Sequence, residues 1–160
     1  MVCAINAWEN RTFTETKYYE NGAIKEEKSY SFQKLNGISK YYSEDGKLEK
    51  EQTYKDNVLN GLSVEYYKNG NPKSKQNYRA GKLNGISTFY LENGIIEKEQ
   101  TYKNNIKNGI SKIYYPDGKL KSEAMIMNNQ LNGLAVIYDQ NGTILRKENF
   151  KNGKSTNIIE

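Results

Sequence analysis

The stretch NGISKYYSEDGKLEKEQTYKDNVLNG, running from Asn36 to Gly61, decides the fold. It begins and ends on Asn-Gly, and the two copies stand 24 residues apart. The same dipeptide recurs at Asn84-Gly85, Asn108-Gly109 and Asn132-Gly133, each another 24 residues on. A second series keeps the same step: Asn21-Gly22, Asp45-Gly46, Asn69-Gly70, Asn93-Gly94, Asp117-Gly118 and Asn141-Gly142. Of the 13 glycines only Gly81 lacks Asn or Asp before it. Asn-Gly and Asp-Gly supply the positive-φ residues that tight hairpin turns need. Both series therefore read as hairpin turns.

Apolar residues hold the same phase. Tyr18, Tyr42, Tyr66, Tyr90, Tyr114 and Tyr138 share one repeat position. Ile24, Leu48, Ile96, Leu120 and Ile144 share a second, interrupted by Pro72. Tyr30, Tyr54, Tyr78, Tyr102, Ile126 and Phe150 share a third, and Ile38, Leu62, Ile86, Ile110 and Leu134 a fourth. Each repeat then carries two strands of about five to eight residues. Ile38 and Tyr42 are an even number of residues apart, as are Leu48 and Tyr54, so each pair shares a strand face. The expectation is one face anchored by Ile/Leu and Tyr, with Tyr54, Tyr78 and Tyr102 in the same core as Tyr42 and Tyr66, and an opposite face largely solvated. Longer identities overlie the period: Glu49 to Lys55 returns unchanged as Glu97 to Lys103, 48 residues later.

One repeat cannot stand alone. Four anchors contribute roughly 6–12 kcal/mol on burial, whereas ordering each residue costs at least ~1 kcal/mol of backbone entropy. Repeats must share hydrogen bonds and packed faces, as in other solenoids. The fold class is all-β, an elongated single antiparallel sheet of tandem β-hairpins. Residues 1–11 are set apart as an N-terminal cap or leader remnant, residues 12–153 as five to six repeats, and residues 154–160 as a C-terminal tail. A signal peptide preceding Met1 would export the chain to the cell envelope; otherwise it is cytoplasmic.

Composition narrows the chemistry. The chain of 160 residues has mean hydropathy −0.93, net charge +5, no histidine and a single cysteine, Cys3. Without histidine there is no Ser-His-Asp or Cys-His set and no imidazole metal ligand. Carboxylate pairs such as Glu26-Glu27 and Glu49/Glu51 are interleaved with lysine and read as solvated strand faces. The glycines are turn residues, not a phosphate loop. Asp and Asn at turns follow from backbone preference, and no metal site, cofactor or catalytic activity is expected. No stretch is long and apolar enough to span a membrane.

A residual aromatic set remains. Tyr19, Tyr41, Tyr67, Phe89 and Tyr115 each lie beside the anchor Tyr, so alternation sends them to the other face as a ladder. Tyr gives large contact area at low entropy cost. Lys40, Lys68 and Lys112 beside them bias such a face toward acidic protein partners. Lysine and aromatics together also fit a nucleic-acid binder, and lysine alone an anionic membrane surface. Tyr66→Ala is expected to cost stability and Tyr67→Ala binding.

These residues resemble the MORN repeat, more closely its bacterial variant form. The resemblance is carried by Tyr102-Lys103-Asn104-Asn105-Ile106-Lys107-Asn108-Gly109, then Tyr114-Tyr115, then Asp117-Gly118-Lys119-Leu120. It extends from about Tyr18 to Gly153. It implies an elongated antiparallel sheet of hairpins and a non-catalytic scaffold for protein interaction. Bacterial proteins of this architecture are often named antitoxins of the YwqK type, and contact with phospholipid is a less secure association. Familiar arrays carry a Trp in the strand; here Trp8 is the only Trp and precedes the repeats.

Overall fold

A computed structural model describes residues 12–159. They form 13 strands in one sheet, and each strand pairs only with its neighbours in the chain. The first six are β1 (Phe13–Tyr18), β2 (Ile24–Ser31), β3 (Lys34–Tyr42), β4 (Leu48–Lys55), β5 (Val58–Tyr66) and β6 (Pro72–Arg79). The remainder are β7 (Lys82–Tyr90), β8 (Ile96–Lys103), β9 (Ile106–Tyr114), β10 (Leu120–Met127), β11 (Gln130–Tyr138), β12 (Ile144–Lys151) and β13 (Lys154–Ile159). Every pairing is antiparallel. The fold class expected from the period is the one found. Residues 154–159, set apart above as tail, form the last strand against β12. The expected N-terminal cap lies outside the described residues.

The turns are not all where the dipeptides placed them. Asn36-Gly37 and its four equivalents lie inside β3, β5, β7, β9 and β11. Gln52 faces Ser63 and Tyr54 faces Leu59, so Asn60, Gly61 and Leu62 together oppose Thr53. This is a bulge, and its glycine supplies a positive φ, +128° at Gly61. The tight turn sits earlier, where both residues have positive φ: Phe32-Gln33, Asp56-Asn57, Ala80-Gly81, Asn104-Asn105, Asn128-Asn129 and Asn152-Gly153. Asn57 secures its turn to the preceding hairpin, donating its N–H to Leu35 O at 3.0 Å and accepting Leu35 N–H on Oδ1 at 2.7 Å. Asn105 does the same to Leu83, and Asn129 to Lys107.

The second dipeptide series does mark turns, along the opposite edge of the sheet. In Tyr19 to Ala23 the Gly22 N–H donates to Tyr19 O at 3.0 Å. Here the glycine alone takes positive φ, and the Asn before it does not. This is a type I turn closed by a left-handed glycine.

Register assigns the faces. Directly paired residues share a face and sequence neighbours alternate. Ile38 pairs with Thr53, Lys40 with Glu51, and Gly37 with Tyr54. Ile38, Lys40 and Tyr42 therefore lie on one face, here the aliphatic face. Ser39, Tyr41, Gln52 and Tyr54 lie on the other, the serine face. The expected single anchored face is thereby corrected: Tyr54, Tyr78 and Tyr102 are on the side opposite Tyr42 and Tyr66. Even spacing fixes the face within each strand, but strand-to-strand parity is set by the pairing.

A single layer encloses little. Val64 and Val136 are the buried hydrophobic residues among those described. The most buried side chains are small: Ser39 and Ser87 are 0% and 1% exposed, and their hydroxyls have no hydrogen-bond partner. An orphaned buried hydroxyl costs about 1–3 kcal/mol. Ala135 stands at the same repeat position 48 residues after Ser87. Ser87→Ala should therefore leave stability unchanged or raise it by about 1 kcal/mol, read as the urea midpoint. A clear loss would mean that the hydroxyl has a partner.

Candidate functional site

On the aliphatic face Ile38, Leu62, Ile86, Ile110 and Leu134 fall in one row, one per repeat. They are exposed by between 38% (Leu134) and 52% (Ile86). These large, open side chains recur in register on every second strand as an interrupted aliphatic stripe, with Thr53, Asn77, Thr101 and Met125 facing them from the strands between. Shallow cups separate its members. One of about 280 Å³ lies between Ile86 and Ile110, with Glu99, Thr101 and Lys112. The next, also about 280 Å³, lies between Ile110 and Leu134, with Glu123, Met125 and Val136.

The anchor tyrosines run parallel to this stripe. Tyr42 Oη donates to Glu27 at 2.7 Å, Tyr66 to Glu51 at 2.7 Å, Tyr114 to Glu99 at 2.8 Å and Tyr138 to Glu123 at 3.3 Å. Each hydroxyl thus reaches a glutamate 15 residues earlier in the chain. For Tyr90 that position is Lys75, whose ammonium lies 5.6 Å from the ring centroid. Tyr18 belongs to the first described strand and is 61% exposed. The other members of the row are half-buried.

Burial first, and the neighbouring glutamate second, push the Tyr42, Tyr66 and Tyr114 hydroxyls from 10.0 up to about 12. A phenol with a raised folded-state pKa stabilises the fold fully below its unfolded value, and that contribution disappears as pH rises through the folded value. Stability should hold up to about pH 10 and fall between about 10 and 12. Urea midpoints recorded alongside tyrosinate absorbance would check this. A midpoint unchanged across that interval would contradict it.

The serine face holds Tyr41 and Phe89, but only those two of the five residual aromatics. Lys28 stands 5.6 Å from the Tyr41 ring and Lys98 4.7 Å from the Phe89 ring. Burial and a hydrogen bond to Tyr54 raise the Tyr41 hydroxyl above the ordinary phenol range. Tyr54 and Tyr102 donate to Gln52 and Gln100 at 3.1 and 2.8 Å. Tyr78 occupies the same position and is half-buried.

Tyr19, Tyr67 and Tyr115 lie beyond the strand ends, in the turns. Their hydroxyls donate to the backbone carbonyls of Tyr42, Tyr90 and Tyr138 at 2.6, 2.7 and 2.8 Å. Lys25, Lys73 and Lys121 lie over these rings. They are stitches between repeats, so the five aromatics do not form one ladder. The expected basic neighbours also separate. Lys40 and Lys112 are next to Tyr41 and Ile113 in sequence and so point to the aliphatic face. Lys68 is exposed in the turn after Tyr67. Sequence spacing alone assigns the stripe to the core. Parity across the β3–β4 pairing separates it from Tyr54, but that pairing requires knowing which Asn-Gly is the bulge.

Among the described residues no group of three or more His, Cys, Asp or Glu is placed to hold a metal. No helix among them is long and apolar enough to cross a membrane. The family model described as MORN repeat variant matches six segments: residues 14–31, 35–56, 59–80, 83–104, 107–128 and 131–152. The chain belongs to the MORN repeat variant family. Each match beyond the first spans one hairpin of the MORN array, from just after one tight turn to the first residue of the next. No curated protein matches the chain.

Proposed function

We propose that this MORN array is a non-catalytic scaffold that docks a protein partner on its aliphatic face. The observation that carries the reading is the exposed stripe from Ile38 to Leu134, repeated in register across the sheet. Lys40 and Lys112 beside it would meet acidic groups on the partner's rim. Tyr41, Phe89, Tyr19, Tyr67 and Tyr115, with Lys68, remain candidates for a secondary contact. Their existing intramolecular contacts make them poorer ones. An antitoxin-like role is the special case in which that partner is a toxin. Co-expression with the neighbouring gene product would reveal it.

Replacing Ile86 and Ile110 together by Gln tests the reading. Both side chains are exposed, so folding should change by less than about 1 kcal/mol. Burying each isoleucine against a partner contributes about 1.5–3 kcal/mol. The double variant should therefore lose affinity about a hundredfold or more, at about 1.4 kcal/mol per tenfold. Undiminished capture of the wild-type partner would remove the stripe from the site. Salt-sensitive flotation on anionic vesicles, unchanged by the double substitution, would instead favour a membrane-surface module working through lysine.

A further inference from the structure

We infer that Asn141 is a site of spontaneous covalent modification in the folded protein. Its side-chain amide is lost to attack by the following glycine nitrogen, giving aspartate and isoaspartate, while the equivalent asparagines of the other turns are held back.

The chemistry needs only these two neighbours and water. The Gly142 nitrogen gives up its proton to solvent base and attacks Asn141 Cγ. The Cγ–Nδ2 bond breaks, and Nδ2 leaves as ammonia with a proton from water. Water then opens the resulting succinimide. Addition at Cγ restores the main chain as aspartate, and addition at the α-carbonyl reroutes it through Cγ as isoaspartate. Nothing is oxidised or reduced: an amide and water become a carboxylate and ammonium. Glycine permits the attack because no Cβ crowds its nitrogen.

Asn-Gly recurs throughout the chain, and the structure separates the copies. Asn21, Asn69, Asn93 and Asn141 all lie in exposed turns, so access of water does not distinguish them. Side-chain hydrogen bonds do. Asn21 Oδ1 accepts the Ala23 N–H at 2.9 Å, and its Nδ2 donates to Glu44 O at 3.0 Å. Asn69 accepts the Asn71 N–H at 2.9 Å and donates to Glu92 O at 2.8 Å. Asn93 accepts the Ile95 N–H at 3.1 Å. In the fourth turn the corresponding N–H, that of Thr143, goes instead to Asp139 Oδ1 at 2.9 Å. Asp139 also accepts the Asn141 N–H at 2.8 Å. Tyr19, Tyr67 and Leu91 stand in the place of Asp139 in the other three turns and do not compete for that N–H. Asn141 thus loses the partner that fixes Oδ1 elsewhere, and its amide can turn toward Gly142.

The remaining copies are restrained by the main chain. Asn36, Asn60, Asn84, Asn108 and Asn132 lie inside strands paired on both sides. At Asn152-Gly153 the attacking nitrogen is tied to the preceding repeat, its N–H donating to Leu131 O at 2.8 Å. The Gly142 N–H donates within its own turn, to Asp139 O at 3.1 Å. Asp45 and Asp117 already occupy the equivalent turn position, so the aspartate product keeps the turn. Isoaspartate lengthens the main chain by one methylene between β11 and β12.

Peptide mapping by mass spectrometry, during incubation of the full chain in mildly alkaline buffer, tests this. Each side-chain hydrogen bond that must first break slows the attack about two- to tenfold. Asn141 should therefore convert at least about fivefold faster than Asn21 or Asn69, with Asn93 between them. In guanidinium chloride the four rates should converge. Asp139→Leu, which copies the Asn93 turn, should slow Asn141 at least about twofold, and Leu91→Asp should speed Asn93 by as much. Asp139→Asn keeps the acceptor without the charge and should leave Asn141 fast. Equal rates at Asn21, Asn69 and Asn141 in the folded chain would overturn the inference. So would an ordering that survives denaturant, or rates that ignore both Asp139→Leu and Leu91→Asp.

Discussion

Gly61→Ala should destabilise the array by about 2–6 kcal/mol, through positive-φ strain of ~1–3 and overpacking of a further ~1–3. A Cβ built on Gly61 would lie 2.9 Å from Thr53 Cβ, and φ there is +128°. The clash is with an atom one bond from the backbone, which no rotamer change can move. Gly109 repeats the situation, with a Cβ 2.8 Å from Thr101 Cβ at φ +129°. Gly85 occupies the same bulge with φ +104°, but its Cβ would meet Asn77 Cβ at an ordinary 3.6 Å. Gly85→Ala should therefore carry the strain alone, about 1–3 kcal/mol. Urea midpoints of the three variants give the ordering. If Gly85→Ala costs as much as Gly61→Ala, the packing of threonine under the bulge is not what constrains it.

Tyr66→Ala should cost about 2–4 kcal/mol, somewhat below the figure for a fully buried aromatic because the ring is half-buried. It removes the contact along the aliphatic face and leaves Glu51 without its 2.7 Å donor. Each repeat touches only its neighbours, so the lesion weakens the hinge between two hairpins rather than a shared core. Tyr67→Ala should also lose more than about 1 kcal/mol, since it gives up packing as well as a hydrogen bond worth ~0.5–1.5 kcal/mol. That bond is the 2.7 Å contact to the Tyr90 carbonyl. Tyr67→Phe isolates it, at about 1 kcal/mol. A wild-type melting curve for Tyr67→Ala would mean that the stitch contributes nothing. It would also return Tyr67 to the pool of residues free for a partner.

The period, the strand class and the need for stacking were legible because turn glycines and anchors recur every 24 residues. Which dipeptide turns the chain was not. Asn-Gly at 60–61 has the stronger local preference for a tight turn, yet Asp56-Asn57 makes it. Asn57 is held there by Leu35 of the preceding repeat, a contact 22 residues away that local propensity does not contain. Misplacing that turn also misplaced the faces. Repeat spacing groups Ile38 with Tyr54 as core, whereas pairing Ile38 with Thr53 puts them on opposite sides. Alternation likewise failed for Tyr19, Tyr67 and Tyr115, because it ends where the strand ends. Tyr41 and Phe89, still within β3 and β7, followed it.

The strictly sequential order of β1 to β13 bears on how quickly the chain reaches its native state. Folding slows when partners are distant in sequence, because long loops must close before any contact repays the entropy. Here no strand waits for a remote partner: every hydrogen-bonded ladder closes through a turn of a few residues. The relative contact order is therefore that of a helical bundle rather than of a β-sandwich. Folding belongs in the microsecond-to-millisecond range typical of local topologies, although every described element is a strand. Nucleation can begin at any hairpin and spread both ways, so a nascent chain can start to fold before its last repeat is synthesised.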